Sequence, residues 1–330
     1  MSMPDFNRLQ ILILAGLLAC ACPPAVNAQT AWKPDRAVEV VVFAAPGGGN
    51  DKAARYIQRI WHDTKMLEAV VVNKVGGGGS LAYNYVSQKT GDGHAIAIAQ
   101  AGLLTNHITG RSPLNPHTDV TILPYIGTEP VALAVRADSP YKTLKEFVTQ
   151  LQKDPASLAI SVGSTRGAVN HFTVALLAKA AGVDPKQLKI LVFGGGAESV
   201  VNLLGGHIDA MMQASNNAIV HHQAGKMRIL GISMPKRSAI IPDVPTFREQ
   251  GYDVLMDGWY AFVGPKGMSE AQIAYWDGAF LRTVNHADWK KFIDSGGWEW
   301  GYKSARDTLA QMKKEYDQSK ALLTELGMAK

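Results

Sequence analysis

The sequence predicts an α/β protein of two lobes, each a mainly parallel sheet flanked by helices. Three observations carry this. Apolar runs of strand length alternate with segments of helical period from Val38 onward, glycine-rich loops join one to the next, and the whole series starts twice. At 330 residues the chain is long for one core and suited to two.

Residues 1–28 stand apart. Arg8 precedes an apolar stretch from Leu9 to Ala21, Pro23 and Pro24 follow, and Val26-Asn27-Ala28 supplies small residues for cleavage. This is the grammar of a secretory signal peptide, too short for a membrane span with stop-transfer flanks, and cleavage is expected after Ala28. An alternative reads Leu17-Leu18-Ala19-Cys20 as a lipobox, with Cys20 lipidated. Both cysteines, Cys20 and Cys22, lie here, so a chain starting at Gln29 has none. A domain of this size can do without disulfides even in an oxidising space.

Val38 to Ala45 reads as a buried strand. After Pro46-Gly47-Gly48-Gly49-Asn50-Asp51, a helix is expected with Ala53, Ala54, Ile57, Ile60 and Trp61 on its apolar face. The three glycines bare backbone N–H groups, and the helix start adds unpaired donors and a positive dipole end, so this turn is a candidate anion site. Asn50 is the better direct donor. Asp51 would repel an anion and suits capping and orienting the loop. Next come a strand at Glu68–Asn73, a second loop at Gly76–Ser80 with its helix, and a strand at His94–Ala99 ending at Gln100. Ligands in such sheets collect beyond the carboxyl ends of the strands, which adds Gly79, Ser80 and Gln100 as candidates.

Val131–Arg136 is a further strand, and Thr143 with Glu146 forms a capping box. The series then restarts with a strand at Leu158–Val162, a loop at Gly163-Ser164-Thr165-Arg166-Gly167, and a helix face of Val169, Phe172, Leu176 and Ala180. Strands at Leu188–Phe193 and Ile208–Gln213 lead into Gly194-Gly195-Gly196 and Ser215-Asn216-Asn217, and Met227–Ser233 closes the set. A strand at Val254–Val263 and helices opened by Ser269 with Gln272 and by Ser304 with Asp307 are expected to return to the first lobe. Crossings near Gly127 and Arg237 then divide the chain into 29–127 plus 238–330 and 128–237, a hinge-like double connection.

The net charge of +5 is scattered, with no basic run interleaved with aromatics, which argues against nucleic acid and suits small anions. Nine histidines offer only His221-His222 as a close pair, and neighbours on a helix point apart, so no metal is expected. Asp51 and Ala53 around Lys52 break a P-loop. Gly77, Gly79 and Ala82 have dinucleotide spacing, yet no acidic residue ends a strand about 20 residues on, so no nucleotide cofactor is expected. An exported hydrolase using Ser164 or Thr165 lacks a nameable base. Tyr83, Phe193, Trp259 and Tyr260 either line an aromatic-acid pocket or pack in the core.

At Ile241-Pro242-Asp243-Val244-Pro245-Thr246-Phe247-Arg248-Glu249-Gln250-Gly251-Tyr252 a signature appears. With Pro46–Asp51, Asn73-Lys74-Val75-Gly76-Gly77-Gly78-Gly79 and Gly205-Gly206-His207-Ile208-Asp209-Ala210, it resembles the tripartite tricarboxylate transporter substrate-binding proteins, the Bug receptors, in order along the mature chain. The resemblance implies a two-lobe periplasmic-binding-protein (Venus flytrap) fold and a non-enzymatic, monomeric periplasmic receptor. Its ligand would be a di- or tricarboxylate or an aromatic diacid, handed to membrane permease subunits. A ligand-sensing lobe feeding a sensor kinase is the alternative.

The resemblance also implies that Gly47–Asp51 takes one carboxylate through backbone donors and that Ser161–His171 takes the other end. There the sequence departs from the common pattern, because Gly167 is followed by Ala168, Val169, Asn170 and His171. The expectation shifts to Ser164, Thr165 and a forked Arg166 donor, with Gly167, Asn170, Gly195, Gly196, Ser215 and Asn216 as further contacts. Local chemistry explains the Thr246–Gly251 stretch without a ligand. Thr246 and Glu249 form a capping box, and Gly251 suits the left-handed residue ending a short helix.

Overall fold

Strand β1 (Val38–Val42) and helix α1 (Gly49–Asp63) frame the first glycine loop. The structure, a computed structural model, describes residues 32–330 except Gly48, Ser164, Thr165, Gly194 and Gly297. The expected leader with Cys20, and the expected contacts Gly48, Ser164 and Thr165, therefore lie outside the described residues. Helix α1 buries Ala53, Ala54, Ile57, Ile60 and Trp61 and exposes Lys52, Arg55, Arg59 and His62, as its spacing predicts. Trp61 anchors it, with its ring 5.7 Å from Trp276 and 5.5 Å from Phe280, and Nε1 donating to Thr283 Oγ1 at 2.7 Å.

The first series continues with β2 (Ala69–Asn73), α2 (Ser80–Ser87), β3 (Ala95–Ala99) and α3 (Gly102–Ile108). Strand β1 lies between β2 and β3, parallel to both, with Val40 opposite Val71 and Ile96. Then comes β4 (Val120–Arg136), a long strand with hardly an exposed residue. The second series is α4 (Leu144–Lys153), β5 (Ala159–Ser161), α5 (Val169–Ala180), β6 (Lys189–Leu191), α6 (Gly196–Leu204), β7 (Ala210–Ala214), α7 (Asn216–Gln223) and β8 (Met227–Ser233). The last elements are β9 (Asp257–Pro265), α8 (Glu270–Asn285), α9 (Ala287–Gly296), β10 (Glu299–Lys303) and α10 (Ala305–Glu325).

Strands run in the order β2-β1-β3-β9-β4-β7-β5-β6, with β8 and β10 also on β4. Up to Pro130, β4 pairs with β9; from Val131 it pairs with β7 and β8. Every pairing of β4 or β9 is antiparallel. The expected mainly parallel sheets are therefore mixed. The reason is topological: β4 carries the chain out of the first set of strands and β9 carries it back, so the two must oppose each other. The α/β architecture with flanking helices stands.

Side-chain alternation supplies a core on both faces. In β3, Ile96 and Ile98 join Ile57, Trp61, Phe262 and Phe280, while Ala97 and Ala99 face Tyr83, Leu104 and Val263. In β4, Leu133 packs with Phe147, Leu177 and Met212, while Ala132 and Ala134 meet Leu203, Met211 and Ile232. Residues 241–254, assigned to the first lobe from sequence, put Phe247 and Val254 in the Leu133 cluster, and Thr246 bridges to Ile232.

Capping boxes form at Thr143 with Glu146 and at Ser269 with Gln272. The reciprocal Thr246–Glu249 bonds also form, at 2.8 and 3.1 Å, yet only a turn follows, closed by Gly251 at φ +89°. At the C-terminus the Lys330 N–H donates to the Ile108 carbonyl at 2.9 Å, and Leu323 packs with Ile108 and Phe172. Among the described residues no helix is long and apolar enough to cross a membrane.

Candidate functional site

The first loop depends on Gly47, whose φ of +81° favours glycine. Its N–H donates to Asp51 Oδ2 at 2.9 Å. Arg55 Nε donates to the same oxygen at 2.9 Å, and Asn73 Nδ2 donates to Oδ1 at 2.9 Å. Burial pushes the Asp51 pKa up, but the hydrogen bonds from Arg55, Gly47 and Asn73 outweigh it and hold the acid below its usual range. Asp51 is thus an ionised brace committed to the loop's own donors, which leaves the first-turn N–H groups of α1 for a guest.

Beside that turn lies Asn50, buried while Gly47 and Gly49 are exposed. Its Nδ2 makes a long 3.4 Å bond to Gln100 Oε1, and its Oδ1 has no partner among the described residues. A Cβ on Gly49 would lie 3.8 Å from the Tyr260 hydroxyl. So Gly47, Gly49, Asn50 and Gln100 are brought together, with Tyr260 beneath them.

Tyr260 leads to a residue that sequence reasoning missed. Its hydroxyl donates to Glu129 Oε2 at 2.9 Å, and its ring lies 3.8 Å from that of Trp298. Glu129 is buried at the end of the β9-paired half of β4, and Oε1 has no partner among the described residues. Burial pushes its pKa up to about 7, against a partial pull downward from Tyr260 and Trp298. A polar residue just before Pro130 in an apolar run was the available signal.

The second glycine loop serves a different purpose. Gly76, Gly77, Gly78 and Gly79 all have positive φ, and Asn106 Nδ2 ties them by donating to the Gly77 and Gly78 carbonyls at 3.1 and 3.0 Å. Ser80 Oγ accepts from Asn106 at 3.2 Å and donates to the Gly77 carbonyl at 2.9 Å. A Cβ on Gly79 would lie 2.7 Å from Tyr83, whose hydroxyl accepts from the Gln100 N–H at 3.3 Å. Gly79 and Ser80 therefore buttress Gln100 from behind. Tyr83, Trp259 and Tyr260 are buried, and Phe193 is half-buried against a core cluster.

In the second series, Gln213 strings the loops together. Asn170 Nδ2 donates to Gln213 Oε1 at 3.1 Å, Gln213 Nε2 donates to Ser199 Oγ at 2.9 Å, and Ser199 Oγ donates to the Gly195 carbonyl at 3.2 Å. A Cβ on Gly196 would overlap the Asn217 amide. The Ser215 N–H donates to the Pro130 carbonyl at 2.7 Å, which sets Ser215 and Asn216 beside the Glu129 end of β4. Asn216 Oδ1 is buried without a partner among the described residues.

Arg166 and Gly167 make contacts of their own. Arg166 Nη2 donates to the Ile190 carbonyl at 2.8 Å, and its own carbonyl accepts from Arg111 Nη1 at 2.9 Å. The Gly167 N–H donates to His171 Nδ1 at 3.0 Å, and a Cβ there would lie 3.4 Å from Met328. One nitrogen of the Arg166 fork is thus engaged by a backbone carbonyl, and the Gly167 donor by a histidine. A groove of about 500 Å³ lined by Lys33, Ile60, Met66 and Tyr275 lies at the far end of α1, away from these loops.

Three comparisons bear on this arrangement. The profile of the "Tripartite tricarboxylate transporter family receptor", TctC, matches residues 54–328. A Cupriavidus necator protein described as "UPF0065 protein in gbd 5'region" is 26% identical over 323 residues, covering 98% of this chain and 97% of the relative. Among solved structures, Rpa4515 of R. palustris with adipate has a TM-score of 0.80 at 23% identity, covering 90% of this chain and 99% of that one. MatC of Rhodopseudomonas palustris with bound malate has a TM-score of 0.75 at 24% identity, covering 89% and 99%. These two show the shared α/β periplasmic-binding fold. The chain belongs to the tripartite tricarboxylate transporter receptor family.

Proposed function

We propose that this solute-binding receptor takes a di- or tricarboxylate at the start of α1 and delivers it to a tripartite-type membrane transporter. Its lobes on this reading are residues 33–130 with 257–330, and residues 131–256, joined at the Pro130–Asp257 level of β4 and β9. One ligand carboxylate is received by first-turn N–H groups and the Asn50 side chain; Ser215, Asn216 and the Gly195–Gly196 backbone complete the shell. The observation that carries this is Asn50, a buried amide at a helix start with an unpartnered oxygen and only a long bond at its nitrogen. Rotating that amide presents its N–H₂ to an anion, a role the ionised Asp51 cannot take.

Magnitudes set what else is needed. Micromolar affinity takes about 8 kcal/mol. A partly buried helix terminus supplies up to about 2 kcal/mol, so the second carboxylate and exclusion of water must provide most of the rest. The malate and adipate of the two fold neighbours make dicarboxylates the first class to test. A thermal-shift series with malate, succinate, adipate, citrate and a neutral sugar decides: a ligand at a hundred times its Kd adds about 2.7 kcal/mol, a rise of several degrees. If the sugar raises the melting temperature and no acid does, the anion reading is wrong.

A further inference from the structure

The side of α1 that faces away from the core carries Lys52, Arg55, Arg59 and His62 at spacings of three, four and three residues, which places them on one stripe. All four are exposed. Arg59 lies 4.2 Å over the Tyr56 ring, and among the described residues neither it nor Lys52 has a carboxylate within ion-pair distance. The acidic groups nearby are few: Asp63 is exposed at the helix end, and Glu68 meets His62 at 3.2 Å. Alongside runs β2, the edge strand of the sheet. Gln58 Nε2 donates to the Ala69 carbonyl at 2.7 Å, and Arg55, Arg59, His62 and Glu68 help wall a groove of about 200 Å³. Val70, next on that strand, is 51% exposed on the sheet face opposite Ala69 and Val71, which pack with α1, so what β2 offers beside the cations is its edge backbone.

Arg55 connects this surface to the ligand loop. Its Nε donates to Asp51 Oδ2, the oxygen that also accepts the Gly47 N–H. The arginine side chain is half-exposed and the aspartate almost fully buried, so a carboxylate arriving from outside meets Arg55 first.

We propose that this stripe and the β2 edge dock an acidic, extended segment of the membrane component of the transporter, and that Arg55 transmits docking to the ligand loop by exchanging Asp51 for a partner carboxylate. The exchange trades one arginine–carboxylate pair for another. Asp51 loses one of its three donors, the Gly47 brace loosens, and the α1 start releases its anion where the transporter can take it.

The inference rests on the receptor reading, yet its test needs no ligand, so either can fail alone. Ligand-free protein is titrated with octaglutamate at low salt while backbone amides are followed by nuclear magnetic resonance. The expected result is that amides of residues 52–62 and of Gly47 shift together. The double variant Lys52→Glu, Arg59→Glu should weaken octaglutamate binding by about tenfold or more with no change in melting temperature. Arg55→Met should leave the 52–62 shifts in place and abolish the Gly47 shift. Shifts confined to other faces, or a still Gly47 amide in the wild type, overturn the proposal. So does binding to phosphatidylglycerol vesicles, lost in the double variant, with no response to octaglutamate, since the stripe would then be a lipid contact.

Discussion

The Tyr260 hydroxyl donates to Glu129 Oε2 at 2.9 Å, tying the strand that returns to the first set of strands to the strand that left it. The bond sits where β4 changes partners, one residue before Pro130, whose carbonyl accepts from Ser215. Tyr260, Glu129 and Ser215 are thereby linked across one strand crossing, with Gly49 close to the Tyr260 hydroxyl. The polar floor of the proposed site is also the seam of the fold.

Glu129 makes stability pH-dependent. Its acid form is favoured in the fold up to about pH 7, against an ordinary 4.5. Between those values the unfolded chain is ionised while the folded one keeps its proton, so stability falls as pH rises through this window and levels off above it. The difference corresponds to about 3 kcal/mol as an upper figure. Glu129→Gln should flatten this part of the curve and melt higher than wild type at pH 8. Parallel melting curves for the two proteins from pH 5 to pH 8 would rule out a protonated Glu129.

His171 works in the opposite direction. Burial, with Arg166 and Arg111 nearby, pushes its pKa down to about 4, and Nδ1 accepts the Gly167 N–H, so the ring is neutral when folded. The unfolded chain takes up a proton below about 6.5. Stability from this group is therefore full above that value and is lost as pH falls toward 4. His171→Gln should be less stable than wild type at pH 7 and lose less on acidification. Urea midpoints at pH 7 and pH 5 measure both quantities.

Asp51 predicts a loop defect separable from charge. Asp51→Ala leaves the Gly47 N–H, Asn73 Nδ2 and Arg55 Nε without their shared acceptor. Removing a buried acceptor costs about 1 to 3 kcal/mol. Asp51→Asn keeps an oxygen for one donor and should fall between. Equal stability of the alanine variant and wild type in denaturant would show that the brace carries no weight.

How much of this was legible in the chain depends on distance and on proline. Helix α1 was readable because Ala53, Ala54, Ile57, Ile60 and Trp61 obey a period that physics imposes on any amphipathic helix. Most of β4 was not, because Pro124 and Pro130 argue against a central strand. The structure accommodates Pro124 where the β9 register shifts, between Ile122 and Tyr125, and Pro130 where one set of partners gives way to another. Glu129 was hidden for the same reason, as a lone acid in a run that looked interrupted. Gln213 passed for the end of a strand, since its partners Asn170 and Ser199 come from two separate helices. The turn at Gly47 was legible because its chemistry is local. Gln100 was legible as a strand-end candidate, but its pairing with Asn50 and the approach of Tyr260 to Gly49 were not, because they join residues 50 and some 210 positions apart.

Asn50 and Asn106 separate binding from scaffold. Asn106 feeds one amide nitrogen to two glycine carbonyls and a serine hydroxyl, within a loop of four consecutive glycines at positive φ. Asn106→Ala removes a donor from the exposed Gly77 and Gly78 carbonyls, the first of which keeps the Ser80 hydroxyl, and from the buried Ser80 oxygen, so stability should drop by about 0.5 to 1.5 kcal/mol. Carboxylate affinity should change little, because the loop braces Gln100 from behind. Asn50 has only a 3.4 Å bond and an unpartnered oxygen to lose. Asn50→Ala should therefore cost no more than about 1 kcal/mol of stability, the loss of one weak hydrogen bond. It should weaken the best-binding acid by about tenfold, the loss of one charge-assisted hydrogen bond of roughly 1.5 kcal/mol. Calorimetric titration and denaturant unfolding of both variants give four numbers. The assignment fails if Asn106→Ala loses affinity at unchanged stability while Asn50→Ala does the reverse.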